Sequence, residues 1–136
     1  MIKYRKWGIN MDIVKIANEL GKIATIKNIA KEEYEIVTGA KINSTNDVKI
    51  YLVNDKGTLK LTDKKNTLKF MNQIYELKSQ DVKNCISSVI KIYGFSISSG
   101  ELCANIKSEI NLIETFYNYI ICIGQLANMY AFFDKA

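Results

Sequence analysis

Asp47-Val48-Lys49-Ile50-Tyr51-Leu52-Val53 alternates polar and apolar side chains, and it runs through Asn54-Asp55-Lys56-Gly57 into a second alternating run, Thr58-Leu59-Lys60-Leu61. A period of two puts one set of side chains on each face of a strand, and a polar, glycine-containing tetrapeptide between two such runs is a hairpin turn. Upstream, Ile23-Ala24-Thr25-Ile26-Lys27-Asn28-Ile29 and Tyr34-Glu35-Ile36-Val37-Thr38 have the same character around the charged turn Lys31-Glu32-Glu33. The reading is an antiparallel β-meander of about four strands.

Helical periodicity flanks the meander. Ile13, Ile16, Ala17 and Leu20 follow the i, i+3, i+4, i+7 rule, with Gly21 placed to close the helix. After the meander, Asp63 stands where a helix cap belongs, followed by apolar Leu68, Met71, Ile74, Tyr75 and Leu77. Ser79 opens a further helix with Val82, Cys85, Ile86, Val89, Ile90 and Tyr93 on one face and Gly94 at its end. Phe95 to Ser98, Ser99-Gly100 and Leu102 to Ile106 read as a small hairpin. A long C-terminal helix then starts at Ser108 or Asn111 and runs to about Phe133. No proline-, glycine- or serine-rich linker interrupts the chain. The expected fold is α+β: a β-meander and a small hairpin packed with three to four helices, in one domain over 11–136. Residues 1–10 read as a leader without fixed structure, with Met11 as an alternative start.

Of 136 residues none is histidine, which removes imidazole bases, His-based triads and His-ligated metals. Cys85, Cys103 and Cys122 are odd in number, contain no C-x-x-C pair and sit among apolar neighbours. Reduced thiols and a reducing cytoplasm are therefore expected, with no metal and no cofactor. The uncharged run Thr115 to Phe133 approaches a bilayer span, but Asn118, Gln125 and Asn128 fall on one stripe with Asn111, Glu114 and Thr115. That pattern belongs to a core or oligomer-forming helix, and no membrane contact is expected.

Net charge is +5, carried by lysine with Arg5 as the single arginine. By segment it resolves into +3 over 1–10, +1 over 11–62, +3 over 63–91 and −2 over 92–136. Lys64, Lys65, Lys69, Lys78 and Lys83 form the densest basic run. With Tyr75 they make a candidate surface for a protein partner or a polyanion. No helix-turn-helix, ribbon-helix-helix or RNP pattern accompanies them, and the planar guanidinium suited to base readout is missing.

Asp63 is a lone carboxylate with no second acid at hydrolase spacing and no metal-ligand neighbours, so a structural cap accounts for it better than catalysis. Glu33 and Glu35 share a strand face while Glu32 does not, which makes a poor metal site. On the C-terminal helix the apolar arc of Ile113, Phe116, Ile120, Ile121, Gly124, Ala127 and Tyr130 is wider than one sheet contact requires. Either this helix is sandwiched inside the domain or Ile113, Phe116, Ile120, Gly124 and Ala127 form a homodimer helix.

Leu61-Thr62-Asp63 with Asn66-Thr67-Leu68 resembles an LTDxGxTL signature, and Tyr93-Gly94-Phe95 with Gly100-Glu101-Leu102 resembles a yG…GEL pair ahead of a C-terminal amphipathic helix. This order is similar to the bacterial and phage domain-of-unknown-function family numbered 1828, over roughly residues 12–133. The signature glycine is read as replaced by Asn66, which tolerates the left-handed conformation. The resemblance implies an α+β fold and a phage or mobile-element setting, and it brings no catalytic residue. The expected function is a non-enzymatic accessory protein acting by protein–protein contact, inhibiting a host defence component such as a CRISPR effector. A nucleic-acid-binding regulator using lysines 64–83 is the alternative. A small-ligand or nucleotide sponge is a third class, and it requires a concave pocket.

Overall fold

The structure, a computed structural model, describes residues 12–41, 47–72 and 79–128. Chain order is α1 (Ile13–Leu20), β1 (Thr25–Ala30), β2 (Glu33–Lys41), β3 (Asp47–Asp55), β4 (Thr58–Thr62), α2 (Asn66–Met71), α3 (Gln80–Tyr93), β5 (Ser96–Ser98), β6 (Glu101–Asn105) and α4 (Leu112–Ala127). The strands form one six-stranded antiparallel sheet in the order β1-β2-β3-β4-β6-β5. The meander and the small hairpin are thus one sheet, joined where β6 pairs with β4.

Register explains the alternation in the sequence. Ile36 lies opposite Ile50, and Leu52 lies opposite both Tyr34 and Leu61, so these side chains share one face. Leu102 and Ala104 continue that face on β6. The other face carries Glu33, Glu35, Lys49, Tyr51, Val53 and Lys60, all exposed or half-buried. Lys56-Gly57 and Ser99-Gly100 turn two of the three two-residue hairpins among the described residues, each pair with both φ values positive as a type I′ turn demands.

Ile16, Leu20, Leu112, Phe116, Tyr119 and Ile123 cover the apolar face and are essentially inaccessible. Asp12 caps α1, its carboxylate accepting the Val14 N–H at 2.9 Å. α2 and α3 both lie against α4. Tyr93 and Phe95 stack at 5.7 Å, and the Tyr93 hydroxyl donates to Gln125 Oε1 at 3.0 Å. Gly94 ends α3 in the left-handed conformation at φ 73°, as its position in the sequence implies. Ser79 stands at the N-cap of α3 in extended geometry but makes no side-chain capping bond.

No helix among the described residues is long and apolar enough to cross a membrane. The leader 1–10, Lys78, Tyr75 and the C-terminal stretch from Met129 lie outside the described residues.

Candidate functional site

The polar residue most suggestive of chemistry, Asp63, serves the backbone. It is 1% exposed. Its Oδ1 accepts the N–H of Lys65 at 3.0 Å and of Leu102 at 3.1 Å, while Oδ2 accepts the N–H of Thr67 at 2.9 Å. One carboxylate therefore holds the β4–α2 turn and fastens it to β6. Next to it, the Thr62 hydroxyl donates to Glu101 Oε1 at 2.7 Å. The Tyr119 hydroxyl donates to the Leu102 carbonyl, bringing α4 into the same knot. Thr62 and Asp63 are thus bonded to the consecutive residues Glu101 and Leu102.

Asp63 does not sit at the cap position itself. Lys65 does, at φ 72°, and Asp63 reaches the first turn from two residues further out. The Asn66 N–H donates to the Asp63 carbonyl at 3.0 Å, so 63–66 is a turn whose central residues Lys64 (φ 51°) and Lys65 are both left-handed. The expectation that Asn66 takes over the signature glycine's conformation is therefore corrected. Asn66 is the first helical residue, and Lys65 is the fifth position counted from Leu61, where the signature has glycine.

The lysines predicted as a binding surface do not all point freely into solvent. Lys64 Nζ is paired with Glu33 of β2 and stands 4.4 Å from the centre of the Tyr51 ring, on the sheet face away from the helices. The Lys65 stem lies over Gly100 of the β5–β6 turn. Lys69 on α2 and Lys83 on α3 are exposed, and Lys78 is outside the described residues. Among the described residues these lysines span two helices and a turn rather than one basic groove.

The cysteines are free, with Cys103 and Cys122 buried and Cys85 half-buried. Burial pushes the Cys122 thiol up to about 12, helped by the nearby Asp63 charge. Burial also raises Cys103, against the pull of Lys60. Both groups are held as thiols, the opposite of what a nucleophile or metal ligand needs. No cluster of metal-ligating side chains occurs among the described residues.

α4 divides the residues expected to form a dimer helix. Phe116 and Ala127, each 2% exposed, belong to the chain's own core, which corrects that part of the expectation. Ile113 is 38% exposed, and Ile120 and Gly124 are half-buried at the margin. Between them lie Tyr117 and Ile121, each 49% exposed, and Ile110, just before the helix, is 92% exposed. The signal for Tyr117 was present in the i, i+4, i+8 run Ile113, Tyr117, Ile121, but this run borders the polar stripe that holds Glu114, Asn118 and Gln125. A side chain placed at Gly124 would meet no other group within 4 Å, so the stripe is open there as well. Glu114 is the single charge on the whole of α4.

No protein-family model matches this chain, and no curated protein or solved structure matches it either.

Proposed function

We propose that the chain is a non-enzymatic binding module acting by protein–protein contact, with the stripe Ile110, Ile113, Tyr117 and Ile121 as its contact surface. The observation that carries this reading is the exposure of Ile113, Tyr117 and Ile121, from 38% to 49%, along one side of an almost uncharged helix, with Ile110 exposed just before it. From Ile113 to Ile121 the stripe is about 12 Å long at the α-helical rise. Apolar side chains aligned in this way lose contact with water when a partner covers them, and clusters of this kind mark interaction sites. Tyr117 adds a large, stiff anchor of the type that dominates interface energetics.

The partner is a second protein with an apolar surface. A host defence component such as a CRISPR effector, and a phage or mobile-element setting, are supported by the resemblance of the Leu61–Leu68 and Gly100–Leu102 motifs. A reducing cytoplasm is supported by three free cysteines. Nucleic-acid binding through lysines 64–83 has less support, because Lys64 is already paired with Glu33.

The test is quantitative capture from a lysate of the source organism, comparing the wild type with Tyr117→Lys/Ile121→Lys. Both positions are solvent-facing, so the variant keeps its fold. The reading requires a protein enriched by the wild type and lost with the variant. Equal enrichment by both contradicts it.

A further inference from the structure

Glu114 belongs to the polar row that borders the exposed stripe of α4. It lies three residues before Tyr117 and seven before Ile121, a spacing that keeps all three on one side of the helix. All three are exposed. Glu114 is also the single charge on α4. Among the described residues it has no ion pair, whereas Glu109, in the loop just before the helix, is bound to Lys15 at 3.2 Å. A partner that covers Tyr117 and Ile121 reaches Glu114 one turn earlier and crowds water from its carboxylate. Taking a charge out of water is unfavourable unless an opposite charge replaces the water. The positive end of the helix does not meet this need, because it acts on Glu114 equally in the free chain.

We propose that the α4 stripe takes an amphipathic helix of another protein, with a lysine or arginine beside its apolar row set against Glu114, and that this pair selects the partner. The proposal rests on the stripe being the contact surface. Ile113, Tyr117 and Ile121 form an i, i+4, i+8 ridge, and such a ridge packs between the ridges of a second helix. The sign of the charge narrows the occupant. An acidic helix sets like charge against Glu114. The stripe of a second copy supplies no base, since α4 has none. Parallel two-fold pairing sets Glu114 beside its own copy, and antiparallel pairing centred between Tyr117 and Ile121 sets it against Gly124.

The probes are two fluorescein-labelled alanine–leucine helices with the same apolar row, one flanked by lysine and the other by glutamate, titrated with the full chain and followed by anisotropy. The chain's net charge of +5 attracts the glutamate peptide, so a preference for the lysine peptide is local to the stripe. The lysine peptide binds at least about tenfold more tightly than the glutamate peptide. Glu114→Gln shrinks this preference at least about threefold, and Glu114→Lys reverses it. Asp81→Lys, a change of the same sign at the exposed first-turn acid of α3, leaves the lysine peptide preferred. Tyr117→Ser/Ile121→Ser removes the apolar anchors without adding charge and weakens both peptides. Equal binding of the two peptides, tighter binding of the glutamate peptide, or a preference that both Glu114 variants leave unchanged overturns the basic partner. If the serine variant still weakens the peptides in those cases, the stripe stands as the contact surface. Binding that the serine variant leaves intact, or no binding of either peptide, overturns both.

Discussion

The carboxylate of Asp63 accepts the main-chain N–H of Leu102 at 3.1 Å, across 39 residues of sequence. With its bonds to Lys65 and Thr67, this contact makes Asp63 the joint between the meander and the second hairpin. Asp63→Ala leaves buried N–H groups without an acceptor, each costing about 1–3 kcal/mol. The expected loss is about 3 kcal/mol or more by urea unfolding, with Asp63→Asn intermediate because one side-chain oxygen remains. A loss below about 1 kcal/mol for Asp63→Ala contradicts the role.

Tyr119 extends the joint to α4 through its bond to the Leu102 carbonyl. Tyr119→Phe keeps the ring and its edge contact with Phe95, whose centre is 5.7 Å away, and removes the donor alone. A destabilisation of about 1–2 kcal/mol is expected from the orphaned carbonyl. An unchanged unfolding midpoint shows that the hydroxyl contributes nothing.

Lys65 holds φ 72° without being glycine. Left-handed backbone costs an ordinary L-residue about 1–2 kcal/mol, partly offset by the greater freedom that glycine has in the unfolded chain. Lys65→Gly therefore stabilises by about 0.5–1 kcal/mol, whereas Lys65→Val, with its branched Cβ, destabilises. Thermal unfolding of the two variants checks the ordering. The reverse ordering contradicts the assigned backbone conformation.

Stability falls in alkali. The Cys122 thiol titrates at about 12 in the fold and from 9.0 when unrestrained. The folded chain thus keeps a proton that the unfolded chain gives up. The contribution is complete below pH 9 and is lost as pH rises from 9 towards 12. The slope is about 1.4 kcal/mol per pH unit for this one group. Tyr119, pushed well above 10.0 by burial and then by the Asp63 charge, adds to the fall above pH 10. Cys122→Ala makes the decline between pH 9 and 10 shallower in urea unfolding at a series of pH values, and an unaltered decline counts against this origin.

How much of this was legible in the sequence follows from the range of each interaction. Val48 to Val53 announces a strand because its alternation is local, and α1 is announced by Ile13, Ile16, Ala17 and Leu20. The bonds of Asp63 to Lys65 and Thr67 are local and so within reach of the sequence, although the cap position itself falls at Lys65. The bond of Asp63 to Leu102 is hidden, since nothing local to either residue specifies that β6 lies beside β4. The left-handed pair Lys64-Lys65 is invisible to propensity because lysine does not favour that conformation; the long-range bonds of Asp63 and Thr62 hold it there. On α4, Phe116 and Tyr117 are equally apolar neighbours, and only the placement of the sheet decides that one is buried and the other exposed.

The claim that the α4 stripe is the contact surface is tested most directly by site-specific photocrosslinking. A photoreactive phenylalanine derivative replaces Tyr117, or for comparison Lys56 in the exposed β3–β4 turn, and the full chain is irradiated in a lysate of the source organism. The account predicts a discrete protein adduct from position 117, identified by mass spectrometry as a protein other than this chain, and none from position 56. An adduct from both positions alike, or from neither, contradicts it.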